Sequence, residues 1–443
     1  MDKGRDSQVY CRTLYSLGHG CALWGPEPND DLPSEYRESG TKVGDVGLVT
    51  SDGHFDFLFN VCLPEDDPIN RYNGVPPGFE PLEWDMKCLR KAKWFRPQKP
   101  ICSKDSLQWS LDIEATASVF GVPVGAGGGI GVVFIGEQGA AVMPRMDGAD
   151  RTDASNKALF MEYAARNGMS WYQFVNGTLG READNGELYL ITGFDKTNSW
   201  ENAVVTNHST SKSCQLAFTT GGLGAEGRLR LSHSTSHESS IISRCSSDED
   251  FHNQSLFIRG FRISNELIPG SDSSDLGSEE SELSSGDSAT SVEEGDLVPD
   301  PKIYHPLVAI NEYILRTQVD STVVVTHDDD WIPLLNGGQD GDTLPDDPTL
   351  INRFRAKMTV ILNAHGTLDV NNAPPISGSN EQGYSTLGPW DSDSRRSGPT
   401  DGQPRPSLPS VDSILRHLGP WPSRRAEQSR DEMLLSIDEI AED

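Results

Sequence analysis

The sequence predicts an α+β fold whose N-terminal domain, residues 1–264, is built on a largely antiparallel β-sheet. Three observations point there. Leu107–Pro144 reads as two long strands folded back across a glycine-rich turn. VGLVT, HFDFLFNVCL and SLFIRGFRI have strand composition and alternation. DASNKALFMEYAARNG carries a cap, an apolar stripe and a glycine stop, as a helix needs. A disordered acidic linker (265–302), a small α/β-type piece (303–366) and a disordered tail (367–443) complete the expected organisation.

In chain order, residues 6–18 form a short helix with Val9, Leu14 and Leu17 inward, ending at Gly18-His19-Gly20. CALWGPEPNDDLP is a proline-set loop anchored by Trp24. Ser51-Asp52-Gly53 turns VGLVT back into HFDFLFNVCL, where Phe55, Phe57 and Phe59 make a core stripe. Pro64–Pro81 is loop. In the first arm of the long hairpin Trp109, Leu111, Ile113, Ala115, Ala117 and Val119 share one face. Its return arm, 130–142, contains Val132-Val133-Phe134-Ile135, the pattern of a strand buried on both faces.

After the helix capped by Asp153 or Ser155, ELYLIT and Ala203–Thr206 bracket GFDKTNSW as a further hairpin. Residues 207–250 are rich in Ser, His and Gly and read as a mobile excursion before the strand 255–263. Ser264–Asp300 has no Lys or Arg and too little apolar surface to offset chain entropy. Its serines precede acidic residues, which suits acid-directed kinases. Beyond it, HPLVAINEYILR is a helix, STVVVT a buried strand and DDDWIPLL a short helix. Asp347-Pro348 opens a helix with the stripe Leu350, Ile351, Phe354, Met358, Ile361 and Leu362, stopping at Gly366. The patches SVDSILRHL and EMLLSIDEI in the tail are amphipathic and suit folding on a partner.

Charge and cysteine usage restrict the function classes. The 443 residues carry a net charge of −30, so nucleic acid is not an expected partner and membrane contact needs a local basic patch. One such patch exists. Lys87, Arg90, Lys91, Lys93, Arg96 and Lys99 surround Trp94 and Phe95, either as a solvated segment or as a site for an anionic lipid or phosphate surface. The 7 cysteines include no CxxC pair, MDKGRDSQ is too polar for a signal-peptide core, and no apolar run is long enough to span a bilayer as a helix. These features read as a reduced cytosolic or nuclear protein with free thiols and unmodified sequons at Asn176, Asn207 and Asn253.

Chemistry-bearing patterns are sparse. GAGGGIG lacks the G-x-G-x-x-G spacing and any following GKS or GKT, and it opens a strand, so it reads as a turn rather than a phosphate loop. His327 and Asp328–Asp330 follow a buried strand, where clustered carboxylates can hold Mg²⁺, Asp328 and Asp330 with His327 being the candidate ligands. The alternative is that an aspartate caps the helix at Trp331. His233 and His237 have i, i+4 spacing without a matching third ligand. GxSxG and HExxH are absent, and no cofactor is implied.

Two stretches, LGHGCALWGPEPNDDLPSEYRESGTKVGDVGLV with DGHFDFLFNV, and MEYAARNGMSWYQFVNGTLGREADNGELYLITGFDKTNSW, resemble a group of uncharacterised proteins from mushroom-forming fungi, over 8–265 and 303–365. By element order the chain also resembles the pore-forming domain of gasdermins. That resemblance implies amphipathic hairpins that enter acidic membranes, with 109–119 and 130–142 as the inserting arms and Lys87–Lys99 as the lipid contact. The leading expectation is a non-enzymatic cytosolic protein that binds a protein partner through its linker and tail. A gasdermin-like membrane protein is the alternative, and a metal-dependent enzyme using His327 and Asp328–Asp330 the second.

Overall fold

A computed structural model describes residues 3–372 apart from 105, 112–128, 136, 146, 208–212, 220–229, 235–238, 247–250, 269–301, 318–321, 336–343 and 363–366. The first hairpin arm after Leu111, the glycine turn up to Gly128, most of the acidic linker, the two amphipathic tail patches and His237 lie outside those residues.

The elements run α1 (Lys3–Tyr15), β1 (Cys21–Ala22), α2 (Ser34–Ser39), β2 (Asp45–Val49), β3 (Phe55–Asn60), β4 (Leu89–Phe95), β5 (Ile101–Cys102), β6 (Ser106–Leu111), β7 (Gly129–Ile135), β8 (Gln138–Pro144) and β9 (Ala149–Ala154). They continue with α3 (Lys157–Tyr172), β10 (Tyr189–Thr197), β11 (Trp200–Asn207), β12 (Ser213–Thr219), β13 (Arg230–Ser234), β14 (Ser239–Cys245) and β15 (Gln254–Asn265). The last are α4 (Pro306–Thr317), β16 (Val323–His327), α5 (Asp328–Leu335), α6 (Asp347–Lys357), β17 (Met358–Leu362) and β18 (Thr367–Asn372). The mixed α+β class with mostly antiparallel sheets is the class the sequence predicts.

The spine is the antiparallel pair β10·β15 at the centre of a ten-stranded sheet. Every residue of β15 is buried. The free edge of β10 is shared, β2 pairing at Tyr189–Leu190 and β9 at Gly193–Lys196. That of β15 is shared too, by β1 near Ile258 and by β16 from Phe261 to Asn265. Beyond β9 lies β4, and beyond β16 lie β18 and β17. Helix α4, Trp331 of α5 and Leu350 and Phe354 of α6 pack on one core with Tyr189, Ile191 and Ile258. Helix α3 closes a second core, with Phe160 and Trp171 against Phe59, Leu190 and Ile263.

Two four-stranded antiparallel sheets extend from this body, in the orders β14-β11-β8-β5 and β13-β12-β7-β6. The chain leaves the first sheet for the second at β5–β6 and β11–β12 and returns at β7–β8 and β13–β14, so two hairpins, β5–β8 and β11–β14, lie side by side as one ribbon. They are joined along β8·β11, where Ala140 faces Val204, and along β7·β12, where Val132 faces Leu216.

Five expectations need correction. Helix α3 is capped by neither Asp153 nor Ser155, its N-cap residue being Asn156 without a side-chain hydrogen bond, and it runs through Gly168 to Tyr172. Residues 207–250 are not simply an excursion, because β12, β13 and β14 lie within them. β10 and β11 do not pair as a hairpin. Both edges of β10 are occupied, so the chain crosses at Asn198-Ser199 into the next sheet. The helix opened by Asp347 stops at Lys357, and Met358–Leu362, with β-branched Thr359, Val360 and Ile361, forms β17. Thr367–Asn372, expected in the tail, is strand β18, parallel to β16, which itself pairs with β15 of the central sheet.

Candidate functional site

The basic segment is where sequence and structure meet. Lys87 sits in a 3₁₀ turn and Leu89–Phe95 form β4, which pairs with β9 alone among the described strands and so leaves an edge open. Leu89 and Phe95 are half-buried and the residues between them are exposed. Lysines on an edge strand also discourage wrong strand pairing, a structural reason for their presence.

Strand register sorts the patch onto two faces. Across β4, β9 and β10 one face carries the rows Lys91–Thr152–Phe194 and Lys93–Asp150–Lys196. The other face carries Arg90–Asp153–Gly193 and Ala92–Arg151–Asp195.

The second face is a buried charge network. Asp195, fully buried, receives Arg151 Nε at 2.8 Å and Arg151 Nη2 at 2.7 Å, and both terminal nitrogens of Arg259 at 3.1 Å. Arg259 Nε donates to Asp153 Oδ1 at 2.8 Å, and its Nη1 to the His19 carbonyl at 3.0 Å. Burial opposes the Arg259 charge, but Asp195 and Asp153 outweigh it and hold the guanidinium protonated. His19 is pushed down to about 4, by burial first and by the Arg151 charge second. Phe95 packs edge-on against His19 with centroids 5.1 Å apart, so this aromatic belongs to the core side of the strand. Two glycines make room. A Cβ on Gly193 would stand 2.0 Å from Asp153 Oδ1; Gly20, at φ +95°, would place one 2.4 Å from the Ile258 carbonyl oxygen.

The first face floors a cavity of about 960 Å³. Lys42, Lys91, Lys93 and Lys196 line it, with Leu82, Trp84, Met86 and Phe194 as apolar walls. Lys93 is taken by Asp150 at 2.8 Å. Lys196, only 8% exposed, donates to the Ser39 carbonyl at 2.6 Å and lies 4.1 Å over the Phe194 ring. Burial, with the opposing pull of Asp45 and the push of Lys42 and Lys91, brings its amine down to about 7. Asp45 is itself raised to about 6 by burial, although Tyr36, Asn60 and the Lys42 N–H all donate to it. Of the remaining patch residues, Arg96 and Lys99 lie exposed beyond the strand end.

The His327–Asp330 cluster is internally satisfied. Asp328, fully buried, accepts from Tyr189 Oη, from Trp331 Nε1 at 2.9 Å and from the Gly260 N–H at 2.9 Å; His305 Nε2 lies 3.2 Å away. Burial opposes the Asp328 charge, but His305 and these donors hold its carboxyl well below the usual range. The Asp329 N–H points to His327 Nδ1 at 3.0 Å, which leaves the ring proton on Nε2, facing Thr192 Oγ1 at 2.8 Å. Asp330 Oδ2 accepts the His327 N–H at 2.7 Å, the reciprocal half of a capping box at the start of α5. Among the described residues no group of three or more His, Cys, Asp or Glu is arranged to hold a metal ion. His233 lies in β13 opposite Leu216.

Sequence reasoning missed Lys42, Lys196, Trp84 and Arg151. Lys196 in GFDKT looks like any turn lysine, and only the pairing of β10 with β9 places it beside Lys91. Neither family models nor curated proteins match the chain.

Proposed function

We propose that the protein works by binding rather than by covalent chemistry, at negatively charged membrane, with the paired hairpins β5–β8 and β11–β14 as its membrane-entering part. The observation that carries this reading is the ribbon. Two hairpins that are separate in sequence pair with each other through β8·β11 and β7·β12, as a gasdermin-like pore former would require. Arg90, Arg96 and Lys99, exposed on and just beyond the edge strand, supply the contact with anionic lipid. No helix among the described residues is long and apolar enough to cross a membrane, so entry falls to the strands.

The test is sedimentation of the full chain with vesicles rich in phosphatidylserine and with phosphatidylcholine vesicles. Binding to the first alone, lost in Arg90→Glu/Arg96→Glu/Lys99→Glu, is the expected result. Equal binding to both, or none to either, counts against the proposal.

A further inference from the structure

The cavity on the other face of β4 holds cations that the membrane contact does not use. Lys196 is more than nine-tenths buried, lines the cavity and makes no ion pair among the described residues; its one hydrogen-bond acceptor is a backbone carbonyl. A buried ammonium with so little compensation is costly unless an anion joins it. Lys42 and Lys91 line the same cavity and also form no ion pair among the described residues. Of the acidic side chains in the lining, Asp150 is engaged by Lys93, which leaves Glu83. The apolar part of the lining comes from Leu82, Trp84, Met86 and Phe194, the last beneath the Lys196 amine. At about 960 Å³ the volume suits a small organic ligand rather than a bare ion.

We propose that this cavity is a binding site for a single-chain anionic amphiphile, its phosphate or carboxylate head on Lys42, Lys91 and Lys196 and its apolar body along Leu82, Trp84 and Phe194. The register explains why the cations converge. Lys91 and Lys196 come from strands on either side of β9, and Lys42 leads into β2, which meets the same strand β10. The head replaces water around an already desolvated amine, so charge-assisted hydrogen bonds form there at little further desolvation cost. Binding takes up a proton wherever Lys196 is neutral, because the anion favours the ammonium form. This site is independent of the membrane reading, and it is tested without vesicles.

The experiment is titration calorimetry of the full chain with dodecyl phosphate and with dodecanoate, each below its micelle concentration, beside dodecanol and inorganic phosphate. Saturable one-to-one binding of at least one anionic amphiphile is expected, with dodecanol and inorganic phosphate each weaker by about tenfold or more. Comparison of the phosphate with the carboxylate identifies the preferred head. Lys196→Met should weaken binding by about tenfold. Lys91→Glu, on an exposed strand where the fold is not at risk, should do the same. Dodecanol binding as tightly as the anions, no binding by either anion, or unchanged affinity in both folded variants overturns the proposal.

Discussion

The guanidinium of Arg151 lies 4.1 Å over the ring of Trp94, while its Nε and Nη2 hold the buried carboxylate of Asp195. An exposed aromatic on the edge strand is thereby tied to the charge network beneath it. Asp195→Asn would leave Arg151 and Arg259 without their shared counter-charge. The expected loss is about 3–5 kcal/mol in urea unfolding. Trp94→Ala, at a half-exposed site, should cost only about 0.5–1 kcal/mol. Equal losses would mean the network is not what anchors this corner.

Asp328 satisfies donors from Tyr189, Trp331 and Gly260 at once. Asp328→Ala strands them in the core at about 1–3 kcal/mol each, so the variant should lose several kcal/mol or fail to fold. Because these donors and Asp330's cap already use the cluster, millimolar Mg²⁺ should leave the wild-type melting temperature unchanged. A rise would point to a metal site there, since a ligand of the native state must stabilise it.

Lys196 gives a pH dependence with a defined sign. Its folded value of about 7 lies below the ordinary 10.5, because burial, helped by Lys42 and Lys91, outweighs the opposing pull of Asp45. Between those values the unfolded chain binds more protons, so this residue makes stability rise with pH from about 7 towards 10.5 and removes that gain as pH falls. Lys196→Met should flatten the slope of the urea midpoint between pH 7 and pH 9. An unchanged slope would show that the amine titrates alike in both states.

Gly20 sits at φ +95°, where a Cβ would stand 2.4 Å from the Ile258 carbonyl oxygen. Gly20→Ala should cost about 1–3 kcal/mol in left-handed strain, and more from the clash. Gly78, at φ +73° with open space around it, should lose only the strain part. Denaturation midpoints for the two variants separate the contributions.

What was legible in the sequence was local. The alternation in SLFIRGFRI announces β15 and the run DDDWIPLL announces α5, whereas the phenylalanine stripe of β3 is split: Phe55 and Phe57 enter the first core, and past a register shift Phe59 joins Leu58 in the second. Partner choice was not legible, because it depends on edges far apart in sequence. ELYLITGFDKT and AVVT look like a hairpin until β10 is found flanked by β15, β2 and β9. The same holds at the site. The basic cluster could be read from Lys87 to Lys99, but its division into a network face and a cavity face follows from the β4·β9·β10 register. Met358–Leu362 shows a rule yielding to context, the apolar spacing of α6 running on while β-branched residues take the chain into β17.

The most direct measurement of the membrane proposal is dye release from phosphatidylserine-rich vesicles by the full chain at micromolar concentration. Phosphatidylcholine vesicles and the Arg90→Glu/Arg96→Glu/Lys99→Glu variant serve as comparisons. Release that needs both the anionic lipid and the three cations is the predicted result. Intact vesicles with no sedimenting protein, or release indifferent to lipid charge, would contradict it.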